Sequence, residues 1–152
     1  MAKFLYRMQN ILNIKYKLED TAKQNFADAL LALRTEEEKQ ETLVKRRDAY
    51  AAEYEQMLVG KLDFLTMEQC ANAVDIMNEK IMEQDDVIRA KSKELEQARQ
   101  KLNQVIQERK MHETLKEKQF EVFQKELSMQ EVKEIDEVVS YQYGPGKANA
   151  EE

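Results

Sequence analysis

A single 3-4 alternation constrains this chain more than any other feature. Met67, Cys70, Val74, Met77, Ile81, Ile88, Leu95, Ala98, Leu102 and Val105 occupy ten of the twelve a/d slots between Met67 and Val105, and only Gln84 and Lys91 break the apolar run. That spacing is a coiled-coil seam, patterned to pack against another helix. Thr66 precedes it, with Gln69 three residues later at capping-box spacing, so a long helix is expected to begin near residue 67.

Breakers are scarce. The one proline and two of the three glycines lie in Gly144-Pro145-Gly146, which leaves Gly60 as the only strong interruption before them. With 36% charged residues, no tryptophan and no sustained strand alternation, the chain has little from which to build a broad core. The expected fold is all-α: a long antiparallel two-helix coiled-coil hairpin over residues 1–143. Helix 1 is expected at about 4–58, a turn at about 59–66, helix 2 at about 67–139, and a disordered tail at 144–152.

Helix 1 carries an apolar stripe of Phe4, Met8, Ile11, Leu18, Ala22, Phe26, Ala29 and Leu33, interrupted at Lys15. The stripe vanishes between Arg34 and Thr42 and resumes at Leu43, Tyr50, Tyr54 and Met57. Folding back near residue 62 pairs positions whose numbers sum to about 125, given equal rise in both arms. Phe4 then meets Phe120, and Phe26, Ala22 and Ala29 meet Ala98, Leu102 and Leu95, large against small. The same register sets Glu36, Glu37, Glu38 and Glu41 opposite Glu83, Asp85 and Asp86, so the middle of the hairpin is expected to be its weakest part.

Helix 2 outruns helix 1. Met67 to Val139 is roughly 110 Å of helix, against about 80 Å for residues 4–58. Phe123, Leu127, Ile135, Val138 and Val139 are therefore expected to lack a partner within the chain, in a stretch (126–152) with seven acids against Lys133 and Lys147. Tyr50 and Tyr54, one turn apart, suit either seam packing or a partner surface, and with Met77 and Ile81 they form the candidate surface near the turn. The candidate partner-binding residues are thus Tyr50, Tyr54, Met77, Ile81, Phe123, Leu127, Ile135 and Val139.

Several chemistries are excluded. A net charge of −6 argues against nucleic acid, which needs clustered Lys and Arg. The first 18 residues hold Lys3, Arg7, Lys15 and Lys17 and no acid, but helix pairing accounts for that face better than a membrane surface does. One histidine, His112, and one cysteine, Cys70 in a seam slot, cannot assemble a zinc site or a charge relay. No catalytic residue, cofactor or metal is expected. The apolar runs are too short for a membrane span, so association with a membrane is expected only through partners.

The two ends, Phe4-Leu5-Tyr6-Arg7-Met8-Gln9-Asn10-Ile11-Leu12 and Val132-Lys133-Glu134-Ile135-Asp136-Glu137-Val138-Val139, resemble the FliJ family of flagellar export proteins. The likeness runs to about Tyr143. It implies a non-enzymatic cytoplasmic helix pair of the type III export apparatus, peripheral to the membrane at the flagellar base and similar to the coiled-coil stalk of rotary ATP synthases. The implied partners are the hexameric export ATPase, the membrane export gate protein and the export chaperones. The alternative is a general coiled-coil holdase of the prefoldin kind or a purely structural coiled coil. Prefoldin subunits carry strand hairpins at the turn, however, and Leu58 to Leu65 is too short for them.

Overall fold

The structure is a computed structural model that describes residues 2–143. It contains α1 (Gln9–Val59, 51 residues) and α2 (Phe64–Gln142, 79 residues), and no strand occurs among the described residues. The two helices form an antiparallel coiled-coil hairpin. The expected tail, 144–152, lies outside the described residues.

The chain divides into two units, Met1–Lys17 with Ile106–Glu152 and Leu18–Val105. In the first, Gln9 pairs with Lys116 and Lys15 with Glu108; in the second, Glu36 pairs with Gln84 and Arg47 with Asn78. Numbers rise in one partner as they fall in the other, which is the antiparallel signature, at sums near the expected 125.

On α2 every one of the twelve slots from Met67 to Val105 is buried or half-buried, Gln84 and Lys91 included. From Met8, just before α1, an equally regular 3-4 series runs along the helix through Leu12, Lys15, Glu19, Ala22, Phe26, Ala29, Leu33, Glu36, Gln40, Leu43, Arg47, Tyr50, Tyr54 and Met57. This corrects the expected stripe at its start. Leu12 is 1% exposed and Glu19 7%, while Ile11 and Leu18 are 41% and 43% exposed. A supercoiled pair keeps a strict 3.5-residue period, and the slot at Lys15 carries the seam to 12 and 19 rather than to their apolar neighbours. Glu19 tolerates its slot with Lys23 Nζ 3.4 Å from its carboxylate.

The ends of both helices also differ from expectation. Helix 1 begins at Gln9, not near Phe4: the Gln9 amide donates to the Tyr6 carbonyl at 3.0 Å, and residues 2–6 form a non-helical strap. Phe4 reaches α2 from that strap, its ring centroid 5.2 Å from Phe120 and 5.5 Å from Phe123. Leaving the helix lets the ring approach edge-on, a favoured aromatic geometry. Tyr6 is buried beside this cluster in sequence, and its hydroxyl has no hydrogen-bond partner.

Helix 2 starts at Phe64 because Asp63, not Thr66, is the cap. The Asp63 carboxylate accepts from the Thr66 amide at 3.5 Å and from the Thr66 hydroxyl at 2.7 Å, and the Asp63 carbonyl takes the Met67 amide at 3.0 Å. These bonds hold the carboxyl below the usual aspartate range, the Thr66 side chain contributing most. The connection is then four residues, 60–63.

The middle is bridged rather than empty. The Gln84 amide donates to the Glu36 carbonyl at 2.9 Å and to its carboxylate at 2.6 Å, and the Gln40 amide donates to Asp85. Neutral amides from each helix thus face acids on the other, which relieves the like-charge opposition. The Gln84 bond, followed by that of Lys39, lowers the Glu36 carboxyl below its usual range.

Two outcomes are expected. Gln84→Leu fills a seam slot with an apolar side chain but strips Glu36 of its donor. The Glu36 carboxyl should then titrate higher than in the wild type, with the Lys39 bond still lowering it, in carbon-detected NMR. A lowered folded pKa stabilises above the unfolded value and is lost as pH falls through the folded one, so the wild-type middle should loosen in acid more than the variant does. An unchanged Glu36 titration would show the amide bond to be idle. Tyr6→Phe removes an unpartnered buried hydroxyl and should stabilise the strap by on the order of 1 kcal/mol, read as slower amide exchange in residues 9–17; faster exchange would mean that the hydroxyl is satisfied in solution.

Candidate partner-binding surfaces

Pairing two helices leaves most side chains in water, so any binding surface must be built from what the seam does not consume. Among the described residues no cluster of three or more His, Cys, Asp and Glu is placed to hold a metal, and no helix is long and apolar enough to cross a membrane. The surfaces that remain are apolar, one in each unit.

In the first unit the paired part is clasped by charge. Lys15 Nζ lies 2.9 Å from Glu108, Lys116 Nζ donates to Gln9 Oε1 at 2.7 Å, the Tyr16 hydroxyl donates to Glu113 at 2.6 Å, and Arg109 reaches the other Glu113 oxygen at 3.0 Å. Lys15 is therefore engaged within the hairpin. Beyond the Phe4, Phe120 and Phe123 rings the clasp ends. From Ser128 to Tyr143 every residue of α2 and its end is exposed, including Met129, Val132, Ile135, Val138 and Val139.

The predicted residues of this unit separate. Ile135 and Val139 stand exposed, Leu127 is half-buried, and Phe123 packs against Phe4, which corrects the expectation that it lacks a partner in the chain. The overhang starts later than expected because the non-helical strap extends along α2 to these rings. Met129 was missed. Its position, two residues off the seam slot at Leu127, carries no periodic signal of its own.

In the second unit the four predicted residues all face the seam. Met77 is only 8% exposed, and Tyr50, Tyr54 and Ile81 are half-buried. Tyr50 and Tyr54 are partly exposed, whereas Met77 has little left to offer a partner. The unused apolar surface lies further out: Leu58, Val59, Leu62, Phe64 and Leu65, all exposed, flank the connection. In the sequence this stretch is marked as a turn by Gly60 and Asp63. Its signal was the density of apolar residues where turn chemistry calls for polar ones.

Comparison with known proteins follows the same outline. No curated protein matches the chain. A solved structure of a putative YscO homolog, CT670 from Chlamydia trachomatis, superposes with a TM-score of 0.79 at 24% identity, covering 96% of this chain and 99% of that one; at that identity the likeness is one of fold. A family model described as flagellar FliJ protein matches residues 4–147, nearly the whole sequence, and the chain belongs to the FliJ family.

Proposed function

We propose that this chain is a non-enzymatic component of the flagellar type III export apparatus that couples the hexameric export ATPase to the membrane export gate and assists the delivery of chaperone-bound subunits. Family membership supports the apparatus. The observation that carries the coupling role is the exposed apolar run of α2 past the aromatic cluster, where Val132, Ile135, Val138 and Val139 have nothing from α1 to cover them.

Exposed apolar residues in succession mark an interface rather than ordinary surface. Glu126, Glu131, Glu134, Asp136 and Glu137 accompany them against Lys133 alone, so the complementary surface is apolar with basic flanks. In this reading the clasped end of the hairpin enters the ATPase ring, and the tip, with Tyr50, Tyr54, Met77 and Ile81 behind it, faces the gate. Phe123, Leu127, Ile135 and Val139 form the ATPase side, with Phe123 acting through its packing on Phe4. The protein works at the cytoplasmic face of the membrane and is held there by its partners. The connection at 60–63 has no strand hairpin of the kind a prefoldin-like holdase uses, so the export reading is preferred.

Ile135→Ser with Val139→Ser tests the assignment without touching the seam, since both side chains are exposed. Stimulation of the purified export ATPase should weaken, with the half-maximal concentration rising roughly tenfold, the equivalent of about 1.4 kcal/mol of lost contact. Binding to the gate's cytoplasmic domain should stay as it is. Loss of gate binding with ATPase stimulation intact would mean that the hairpin is inserted the other way round.

A further inference from the structure

The exposed apolar residues of α2 in the first unit are not scattered. Past Val105 the seam slots turn to Arg109, His112 and Lys116, but a second 3-4 series opens on another face of the helix. It runs through Met111, Leu115 and Val122 beside the clasped part, then through Met129, Val132, Val139 and Tyr143 on the overhang, all of them exposed. Lys118, Lys125 and Asp136 fill its remaining slots. Met129, out of step with the hairpin seam, is in step here. An apolar run this regular over roughly 50 Å of helix is the pattern of a surface that receives another helix.

The first helix leaves this face open. On one flank of the hairpin the Tyr16 hydroxyl bonds to Glu113. Met111 and Leu115 lie on the opposite flank, where the register sets the exposed Ile14 and Ile11 level with them. A further helix laid along residues 111–122 would therefore cover apolar surface of both α1 and α2 without displacing either.

The series is its own complement. In an antiparallel second copy, residues whose numbers sum to that of 111 and 143 meet, so that Leu115 faces Val139, Val122 faces Val132, and Asp136, the one acidic slot, faces Lys118. Lys125 falls opposite Met129 and can lay its methylene stem along it. The flanks agree. Residues 109–125 carry Arg109, Lys110, Lys116, Lys118 and Lys125 against three acids, whereas residues 126–143 carry five acids against Lys133, so opposite charges meet along both halves. Only at the twofold axis does Glu126 approach its own copy, with the Lys125 of each chain beside it. A parallel pair would set each of Lys118, Lys125 and Asp136 against itself. The self-match selects a second copy, joined by an isologous interface, over an unrelated helix.

We propose that a second copy of this chain docks antiparallel on this face of α2, covering Val132 and Val139 in a resting dimer that the export ATPase must separate. The dimer stands on the pattern of residues 111–143. Its resting role rests on the reading that Val139 belongs to the ATPase side.

Sedimentation equilibrium of the full chain, compared with Lys118→Asp, Asp136→Lys and the two combined, tests the pairing. Lys118 and Asp136 are exposed and unbonded among the described residues, so the melting temperature should not move. Each single reversal should raise the dissociation constant of the dimer roughly tenfold, and the combined reversal should restore it to within about threefold. A wild type that stays monomeric throughout the concentration series, or single reversals without effect, overturns the dimer. Cross-linking checks direction independently of these charges. In a Cys70→Ser background, Met111→Cys with Tyr143→Cys should oxidise to a covalent dimer, whereas Met111→Cys alone should stay reduced; oxidation of the single variant would mean parallel pairing and overturn the register. The covalent dimer should stimulate the export ATPase at least about tenfold less than the same protein after reduction. Equal stimulation overturns the resting role and leaves the dimer standing. Absence of stimulation by the wild type overturns the coupling reading and the resting role, again without touching the dimer.

Discussion

Two helices that pack only on each other can bury one stripe apiece, and that limit governs the rest of this molecule. The seam repeats every 3.5 residues on both helices, and most side chains off it are exposed. Little of α2 is fully buried: only Met67, Cys70, Met77 and Val105 reach that state. Apolar side chains that pairing leaves over stay at the surface, Ile135 and Val139 among them.

The seam is also more polar than a purely stabilising one. Lys15, Glu19, Glu36, Gln40 and Arg47 occupy slots on α1, and Gln84 and Lys91 occupy slots on α2. Apolar residues there would pack in several registers, whereas the bonds of Gln84 to Glu36 and of Lys15 to Glu108 are satisfied in one. A polar seam residue specifies register at a cost in stability. For a hairpin that presents different surfaces at its tip and at its open end, register matters because it sets which side chains each end displays.

The seam of α2 was legible in the sequence because its apolar slots are dense enough to define their own period, and Gln84 and Lys91 were placed correctly by that period alone. Phe4 against Phe120 was likewise legible from the fold-back register. The start of α1 was not. Ile11 beside Leu12, and Leu18 beside Glu19, offer an apolar residue one step from the true slot, and side-chain type favours the wrong one at Glu19. The strap was hidden for a related reason: Phe4 fits a helical stripe by spacing, and only the backbone of residues 2–6 shows that it arrives from non-helical chain. At the turn, Asp63-x-x-Thr66 and Thr66-x-x-Gln69 are overlapping cap signals, and the hydrogen bonds decide between them. Exposure at the tip could not be read at all, since an apolar stretch in sequence is the same whether it lines a seam or faces solvent.

The central claim is that one chain folds back on itself in this register. It is tested most directly by cysteine cross-linking of Gln40→Cys with Gln84→Cys in a Cys70→Ser background, since both are seam slots whose numbers sum to 124 and the Gln40 amide reaches Asp85 beside Gln84. Mild oxidation of the dilute protein should form an intrachain disulfide in nearly all molecules, with helical content unchanged. The paired control, Gln40→Cys with Val87→Cys, places the second thiol three residues along and off the seam, and should stay reduced. Disulfide-linked dimers from the first pair, or equal intrachain oxidation of both pairs, would contradict the hairpin and its register.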